Sequence, residues 1–136
     1  MPLPFLVNPN TSVPIFRQIA EGLRAAIGRG SLAPGDLLPS VRQIAEELAV
    51  NPNTVHKAVA ELEREGLVEA ERGRGMVVRA GTRAIAKASG DEAVLALLAD
   101  AARLAAASGM AGDKFDQLVR RAQRAAAAGQ PAGGVQ

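Results

Sequence analysis

Short polar and basic side chains are concentrated at the start of one candidate helix. The stretch NPNTVHK carries Asn51, Asn53, Thr54, His56 and Lys57. Amide and hydroxyl groups at the amino-terminal end of a helix can hydrogen-bond to base edges in the major groove of DNA. The free backbone N–H groups of a first helical turn can bind phosphate. These residue types at this spacing predict a contact with double-stranded DNA.

A second group of candidate residues lies in the segment RGRG. Arg72 and Arg74 flank Gly73 between two β-prone runs, so they are expected at the tip of a hairpin. Such a tip can lie over phosphates or enter a minor groove. Each signal also has an ordinary explanation. Asn51 can be a helix cap only, the arginines can be solvated turn residues, and His56 can be a half-buried, hydrogen-bonded histidine.

The helix that carries the first group is marked at both ends. Asn51 is a favourable N-cap, and Pro52 fits the first helical position, where its missing N–H does no harm. Gly66 follows as a stop signal. The pattern therefore predicts a helix from Pro52 to about Glu65. Its apolar stripe recurs at helical spacing and consists of Val55, Ala58, Val59 and Leu62.

Similar signals predict two helices before this one and a hairpin after it. The first helix runs from Pro14 to about Gly28. The second runs from Ser40 to Leu48, and Ser40 with Gln43 makes a capping box. The expected strands are Leu67–Glu71 and Met76–Arg79. The inward apolar stripe of the first helix consists of Phe16, Ile19, Ala20, Leu23 and Ile27. That of the second helix consists of Val41, Ile44, Ala45 and Leu48. This order of elements predicts a winged helix-turn-helix, mainly α with a small β-hairpin.

The pentapeptide VNPNT occurs twice, at 7–11 and at 50–54, with different expected structures. Pro14 would fall inside the first turns of a helix begun at Pro9, and it restricts Val13 to an extended conformation. The first copy is therefore expected to be a turn or a short extended lead-in rather than a second helix start.

The carboxy-terminal part of the chain is rich in alanine and mainly helical in pattern. The segment AGTRAIAKASG is expected to be a connector or a weak helix, and Asp91 and Asp113 are expected to cap two further helices. The predicted organisation is a winged helix-turn-helix DNA-binding domain at 1–80, a helical dimerisation module at 81–128 and a disordered tail at 129–136.

The last two helices carry broad apolar faces that need a partner. We expect a second copy of the chain to cover them, because a protein that reads half-sites needs two-fold pairing. The expected interface consists of Leu95, Leu98, Leu104, Phe115, Leu118, Val119 and Ala122. The alternative is that both helices pack back onto the winged helix in a monomer. Two helices leave little room for a pocket within one subunit, so a small effector would bind between subunits.

Composition excludes several other classes of protein. The chain has 136 residues, no cysteine and one histidine, so it offers neither a disulfide framework nor a metal site of thiolates or histidines, and no cofactor is expected. His56 has no paired carboxylate in the neighbouring sequence and no loop cradles phosphate, which argues against an enzyme. There is no signal peptide and no membrane-spanning run, so a soluble, cytoplasmic protein is expected.

Net charge is a weak argument for nucleic-acid binding here. The formal charge is +2, but residues 1–80 contain nine basic and nine acidic residues. Only the placement of the basic residues can support DNA binding.

The stretch LPSVRQIAEELAVNPNTVHKAVAELEREGLVEAERGRGMVV resembles the DNA-binding domain of the GntR family of bacterial transcription regulators. The segments PIFRQI and VNPNTV are similar to the YtrA-type subfamily, and the resemblance covers about residues 13–79. Five parts match: Leu38-Pro39-Ser40 with Arg42, residues 45–50 that lead from the second helix to the third, Thr54-Val55, residues 62–67 that lead from the third helix to the first strand, and Gly73-Arg74-Gly75 in the wing.

The resemblance implies a role for each matching residue. Arg42 would bind a phosphate. Asn53, Thr54 and His56 would lie in the major groove, and the wing would contact DNA through Arg72, Gly73 and Arg74. Many family members have arginine at the positions of Pro52 and His56, so base reading is expected to shift from guanine toward adenine through Asn53. The candidate DNA-contacting residues are Ser40, Arg42, Asn51, Asn53, Thr54, His56, Lys57, Arg72, Gly73 and Arg74.

The resulting hypothesis is a transcription repressor that binds a palindromic operator as a homodimer. The resemblance adds control of a transporter operon and modulation by a small effector. The alternative is a winged helix that serves as a protein-interaction module without specific DNA binding. The salt dependence of binding separates the two hypotheses, because phosphate contacts release counterions.

Overall fold

The computed structural model describes residues 3–128, so the expected disordered tail at 129–136 lies outside the described part. The chain divides into two compact units, the first ending at Asp91 and the second beginning at Glu92. In chain order the elements are α1 (Ile15–Arg29), α2 (Val41–Leu48), α3 (Pro52–Arg64), β1 (Val68–Glu71), β2 (Gly75–Val78), α4 (Arg83–Ala107) and α5 (Gly112–Ala127). Among residues 3–128, none of the helices is long and apolar enough to cross a bilayer.

The core of the first unit is built from the apolar stripes of α1, α2 and α3. Both α1 and α2 pack against α3, and the hairpin adds further aliphatic side chains. Full burial of one such side chain contributes roughly 1.5–3 kcal/mol, so this core is the main source of the unit's stability. Its largest buried members are Ile19, Leu23, Ile27, Ile44, Val55, Leu62, Leu67, Val68 and Val78. The predicted winged-helix fold, mainly α with a small hairpin, is confirmed.

The ends of α2 and α3 follow the predicted capping signals. The Ser40 hydroxyl accepts a hydrogen bond from the backbone N–H of Gln43 (3.1 Å), and the Gln43 side chain accepts one from the Ser40 N–H (2.9 Å). Asn51 caps α3 by accepting a hydrogen bond from the backbone N–H of Asn53 (2.8 Å). Between the two helices the chain turns at Ala49, whose φ is 57°. These local contacts set the residue at which α3 begins.

The hairpin forms the predicted wing, with small differences in its bounds. β1 begins one residue later than expected, and β2 is shifted one residue toward the tip. The strands pair antiparallel, with Glu71 opposite Gly75. At the tip the N–H of Arg74 donates to the carbonyl oxygen of Glu71 (2.9 Å), and Gly73 has a φ of 81°. Glycine adopts this positive φ without a steric penalty, which allows a tight turn.

The first VNPNT copy forms a turn ahead of α1, as predicted. Gln18 holds this turn, because its side-chain amide donates to the carbonyl oxygens of Asn8 (2.8 Å) and Val13 (3.0 Å). Its side-chain oxygen accepts from the Asn8 N–H (2.7 Å). The segment before the turn also packs against the core, which the sequence pattern did not predict. The packed side chains are Leu3, Phe5 and Val7.

The start of α4 differs from the prediction. The expected start at Asp91 is wrong, and the helix begins at Arg83, because the intervening residues have partners in the first unit. Ala86 is buried in the core cluster, and the Arg83 Nε donates to the carbonyl oxygen of Gly28 at the end of α1 (3.1 Å). Residues 81–91 therefore group with the winged helix, whereas the sequence pattern assigns them to the second domain.

The second unit contains the remainder of α4 and all of α5. The helix α5 begins at Gly112, so Asp113 lies within its first turn and is not the predicted cap. No residue of α5 is buried. Several large apolar side chains of α4 are 41–67% exposed. They are Val94, Leu95, Leu97, Leu98 and Leu104.

Substitution of Gly90 by alanine is expected to raise the stability of α4. Gly90 lies inside this helix, and a Cβ added there meets no atom within 4 Å. Alanine is about 0.8–1 kcal/mol more favourable than glycine in a helix interior, so the unfolding free energy in urea should rise by up to that amount. The matched control is Gly73→Ala, also in open space but at a φ of 81°, which should lose about 1–2 kcal/mol. Lower stability of Gly90→Ala would contradict a continuous α4.

Candidate nucleic-acid interface

The amino-terminal half of α3 presents its polar side chains to solvent. Asn51, Asn53, His56 and Lys57 are exposed, and Thr54 is half-buried. The Asn51 side chain is engaged as the helix cap. The side chains of Asn53 and His56 make no hydrogen bond to any residue between 3 and 128. Their amide and imidazole groups are therefore free to bind a ligand.

Charge is separated along α3. Its first turn has no acidic residue, whereas Glu61, Glu63 and Glu65 lie toward its carboxyl end. A hydrogen bond from Arg24 of α1 to Glu65 (2.6 Å) raises the pKa of Arg24 above its ordinary value and ties this acidic end to α1. The amino-terminal end keeps the positive pole of the helix dipole, which attracts anions. The acidic residues of α3 therefore lie away from its polar amino-terminal end.

Arg42 projects into solvent from the first turn of α2. Its side chain is 89% exposed, and its Nε lies 3.1 Å from Oε1 of Glu46. An exposed pair of this kind contributes about 0–1 kcal/mol, so a phosphate can displace the carboxylate. Ser40 is engaged through its oxygen as the cap of α2, and its hydroxyl hydrogen is still available to a phosphate oxygen.

The two arginines of the wing differ in their surroundings. Arg74 Nη1 lies 2.9 Å from Oε1 of Glu71. In the described part of the chain, Arg72 has no carboxylate within ion-pair distance. A Cβ added at Gly73, between them, would meet no atom within 4 Å, so the tip is open to solvent. Arg72 can therefore bind a phosphate without first leaving an internal partner.

Lys57 has an aromatic neighbour that the sequence pattern did not predict. Its Nζ lies 4.0 Å from the centroid of the Phe16 ring in α1, and Cζ of Arg17 lies 5.6 Å from the same centroid. The stripe pattern predicts Phe16 in the core, and this is wrong, because the ring is only half-buried and lies outside the buried cluster. Within the first turn of α1, Phe16 therefore lies beside the exposed face of α3 that carries Lys57, whereas its neighbour Ile15 packs against the core. In the sequence, the one feature that hints at this cation–aromatic arrangement is that the aromatic Phe16 is adjacent to the basic Arg17.

An apolar groove of about 830 Å³ lies between α4 and α5 in the second unit. Six of the seven predicted interface residues line it, namely Leu98, Leu104, Phe115, Leu118, Val119 and Ala122. Leu95 is 67% exposed but does not line the groove. The groove is also lined by residues that the helical pattern places on the apolar faces but not in the predicted interface, namely Val94, Leu97, Ala101, Ala105 and Ala126. Met110 lines it too and was not predicted.

Comparison with known proteins identifies one family. Residues 16–78 match the family described as bacterial regulatory proteins, gntR family. The HTH-type transcriptional repressor YtrA of Bacillus subtilis (strain 168) is 47% identical over 72 residues, which cover 53% of this chain and 55% of that protein. The chain thus spans about half the length of the curated relatives that it matches.

Two solved structures extend the likeness. A GntR family transcriptional regulator from Listeria monocytogenes is 28% identical with a TM-score of 0.62, over 82% of this chain and 97% of that chain. YtrA from Sulfolobus acidocaldarius, a GntR-family transcription factor, is 34% identical with a TM-score of 0.53, over 65% of this chain and 95% of that chain. All three relatives are named as regulators of transcription. The chain therefore belongs to the GntR family of bacterial regulatory proteins, and its winged helix is of the YtrA type.

Proposed function

We propose that the chain is a sequence-specific DNA-binding transcription repressor that binds a palindromic operator as a homodimer. The observation that carries this proposal is the amino-terminal end of α3, where Asn53 and His56 are exposed in a winged helix of the GntR family. In helix-turn-helix proteins this end of the recognition helix contacts base edges in the major groove. Repression, rather than activation, is inferred from the name of the Bacillus subtilis relative.

Asn53 is the proposed base-reading residue. It is the second residue of α3, and its side-chain amide has no partner within residues 3–128. An asparagine amide pairs with N6 and N7 of adenine at the same time, which gives roughly 1–3 kcal/mol of discrimination against other bases. Neither Pro52 nor His56 offers the guanidinium fork that reads guanine. We therefore propose an adenine at this position of each half-site.

We propose that three arginines bind phosphates and set the register of α3 on the duplex, namely Arg42, Arg72 and Arg74. Phosphate contacts supply affinity without sequence information. Arg42 and Arg74 each have one exposed carboxylate partner, at 3.1 and 2.9 Å. Exchanging such a partner for a phosphate loses about 0–1 kcal/mol and gains a charge-assisted hydrogen bond.

The groove of the second unit is proposed as the homodimer interface. Contiguous exposed apolar surface is unfavourable in water and marks interaction sites. A second copy presents the same groove, so two-fold pairing covers both at once and matches a palindromic operator. The Listeria monocytogenes regulator covers 82% of this chain, which is more than the first unit alone, so its likeness includes part of these helices.

Control of a transporter operon and modulation by a small effector extend the proposal, on the basis of the YtrA-type resemblance. Binding to chromosomal DNA would place the protein in the cytoplasm. The groove lining is apolar apart from Ser108 and Gln123. An effector that binds there would therefore be mainly apolar, with one or two hydrogen-bonding groups.

A protein-interaction module without specific DNA binding is the second candidate. Residues 1–80 have no net charge, and Arg42 and Arg74 already have carboxylate partners. A protein surface could use the same exposed side chains of α3. The two functions differ in the salt dependence of binding, which is steep only where phosphates are bound.

Substitution of Asn53 by alanine is expected to weaken operator binding at one base pair. The cap of α3 survives, because Asn51 accepts from the backbone N–H of residue 53 and not from its side chain. The expected loss is roughly 1–3 kcal/mol with the preferred base and little with the other bases at that position. Fluorescence anisotropy on a duplex selected from a random pool, and on its single-base variants, measures both quantities.

Arg42→Ala is the matched control for this substitution. It removes a proposed phosphate ligand, so selected and random duplexes should lose affinity by the same factor. An equal loss on both kinds of duplex for Asn53→Ala would remove Asn53 from the base-reading role. A changed base preference for Arg42→Ala would contradict its assignment to phosphate.

A further inference from the structure

One aromatic ring in the first unit has two cations beside it, one of them from another helix. Phe16 lies in the first turn of α1 and is half-buried. Nζ of Lys57 from α3 lies 4.0 Å from the ring centroid, and Cζ of Arg17 lies 5.6 Å from it. Both distances are within the range of about 6 Å over which an aromatic ring attracts a cation.

In the described part of the chain, these two cations are not neutralised by a carboxylate. Within residues 3–128, neither Arg17 nor Lys57 has a carboxylate at ion-pair distance. The first turn of α1 contains no acidic residue, and its N-cap, Pro14, makes no side-chain hydrogen bond. The helix dipole also disfavours a cation at this end of α1. Two cations thus lie 4.0 and 5.6 Å from one ring centroid, and a bound anion would not have to displace a carboxylate of residues 3–128 from either of them.

We propose that Phe16 is a positioning residue that holds Lys57 and Arg17 together as one phosphate-binding contact, which joins α1 and α3 on the DNA backbone. The inference rests on the proposed DNA binding and adds Phe16 and Arg17 to it. The ring covers one side of the Lys57 ammonium and leaves other N–H donors for a phosphate oxygen. A lysine side chain restricted before binding loses less conformational entropy on binding. The ligand is a backbone phosphodiester, and this contact reads no base.

A double-mutant cycle with Phe16→Leu and Lys57→Gln tests the inference. The probes are a duplex selected by the wild-type protein from a random pool and an unselected duplex of equal length. Lys57→Gln should weaken binding to both duplexes by the same factor and reduce the magnitude of the log–log salt slope by about two per dimer. Phe16→Leu should weaken binding about two- to fivefold per subunit, but only where Lys57 is present.

Two control variants separate the proposed positioning role of Phe16 from an effect of core packing, and the role of Lys57 from a general effect of positive charge. Phe5→Leu alters a phenylalanine that packs on the core of the first unit and has no cation from residues 3–128 on its ring. Arg64→Gln removes an exposed cation from the last turn of α3. Both should leave the affinity within about twofold of the wild type and the salt slope unchanged.

The outcomes separate this inference from the proposed function. If the wild-type protein selects a duplex and Phe16→Leu weakens binding equally with and without Lys57, the ring only packs and the inference fails. Unchanged affinity of Lys57→Gln also overturns it and leaves the repressor proposal intact. A wild-type protein that selects no duplex overturns both. Thermal unfolding of Phe16→Leu verifies that the core is retained.

Discussion

Substitution of Leu118 by aspartate is expected to convert a dimer into a monomer and to weaken binding to a palindromic operator by about 10²- to 10⁴-fold. Leu118 lies in the groove between α4 and α5, on the face proposed to meet a second copy. The groove lining contains no basic residue, so a buried carboxylate would be unpaired. An unpaired buried charge costs several kcal/mol, which is more than the lost leucine contacts alone. Light scattering measures the change in mass.

Gln117→Asp is the matched control for this variant. It places the same charge on the adjacent residue, which is exposed and does not line the groove. This control should stay dimeric with unchanged operator affinity. The thermal unfolding of the winged helix should be retained in both variants, because its core lies entirely within the first unit. A Leu118→Asp protein that remains dimeric and binds its operator normally would show that the subunits meet elsewhere, with α1 as the next candidate.

Operator affinity is expected to fall steeply with salt, with a log–log slope of about −5 to −7. Each subunit offers Arg42, Lys57, Arg72 and Arg74 as phosphate ligands, and Arg42 and Arg74 must leave a carboxylate first. A dimer would therefore make about six to eight phosphate contacts. Each contact releases close to one counterion, so binding should weaken about 10³- to 10⁴-fold between roughly 50 and 200 mM salt. Fluorescence anisotropy over this range measures the slope.

The variant Arg72→Gln tests whether the wing contributes phosphate contacts to this salt dependence. Arg72 has no carboxylate partner in the described part of the chain, so its loss should reduce the magnitude of the slope by about two per dimer and leave base preference unchanged. Arg64→Gln, in the last turn of α3, should leave the slope unchanged. A wild-type slope near zero would favour the protein-interaction module over the repressor.

The elements of the winged helix could be predicted because their signals are local. The reciprocal bonds of Ser40 and Gln43 and the Asn51 cap involve residues two or three positions apart. The two VNPNT copies form different structures for the same reason, since Pro14 follows only the first copy. The apolar stripes of α2 and α3 face the core because a period near 3.6 residues places them on one side of each helix.

The residues that line the groove of the second unit could also be predicted from the sequence, but less accurately than the elements of the winged helix. The predicted interface contained Leu98, Leu118 and four further lining residues, but it also contained Leu95, which lies outside the groove. A helix that is apolar over a wide arc does not define one face by itself. Which of its residues line a groove depends on where a second helix packs.

Contacts between residues far apart in the chain were decided only by the tertiary structure. The ring of Phe16 lies beside Lys57 instead of in the core, and the Arg83 guanidinium bonds to the carbonyl oxygen of Gly28, 55 residues away. The sequence by itself determined the elements, their order and the polar start of α3, because short-range hydrogen bonds and periodic burial decide these. The neighbour of Lys57 and the early start of α4 depend on how α1 packs against later segments, and no local pattern encodes that packing.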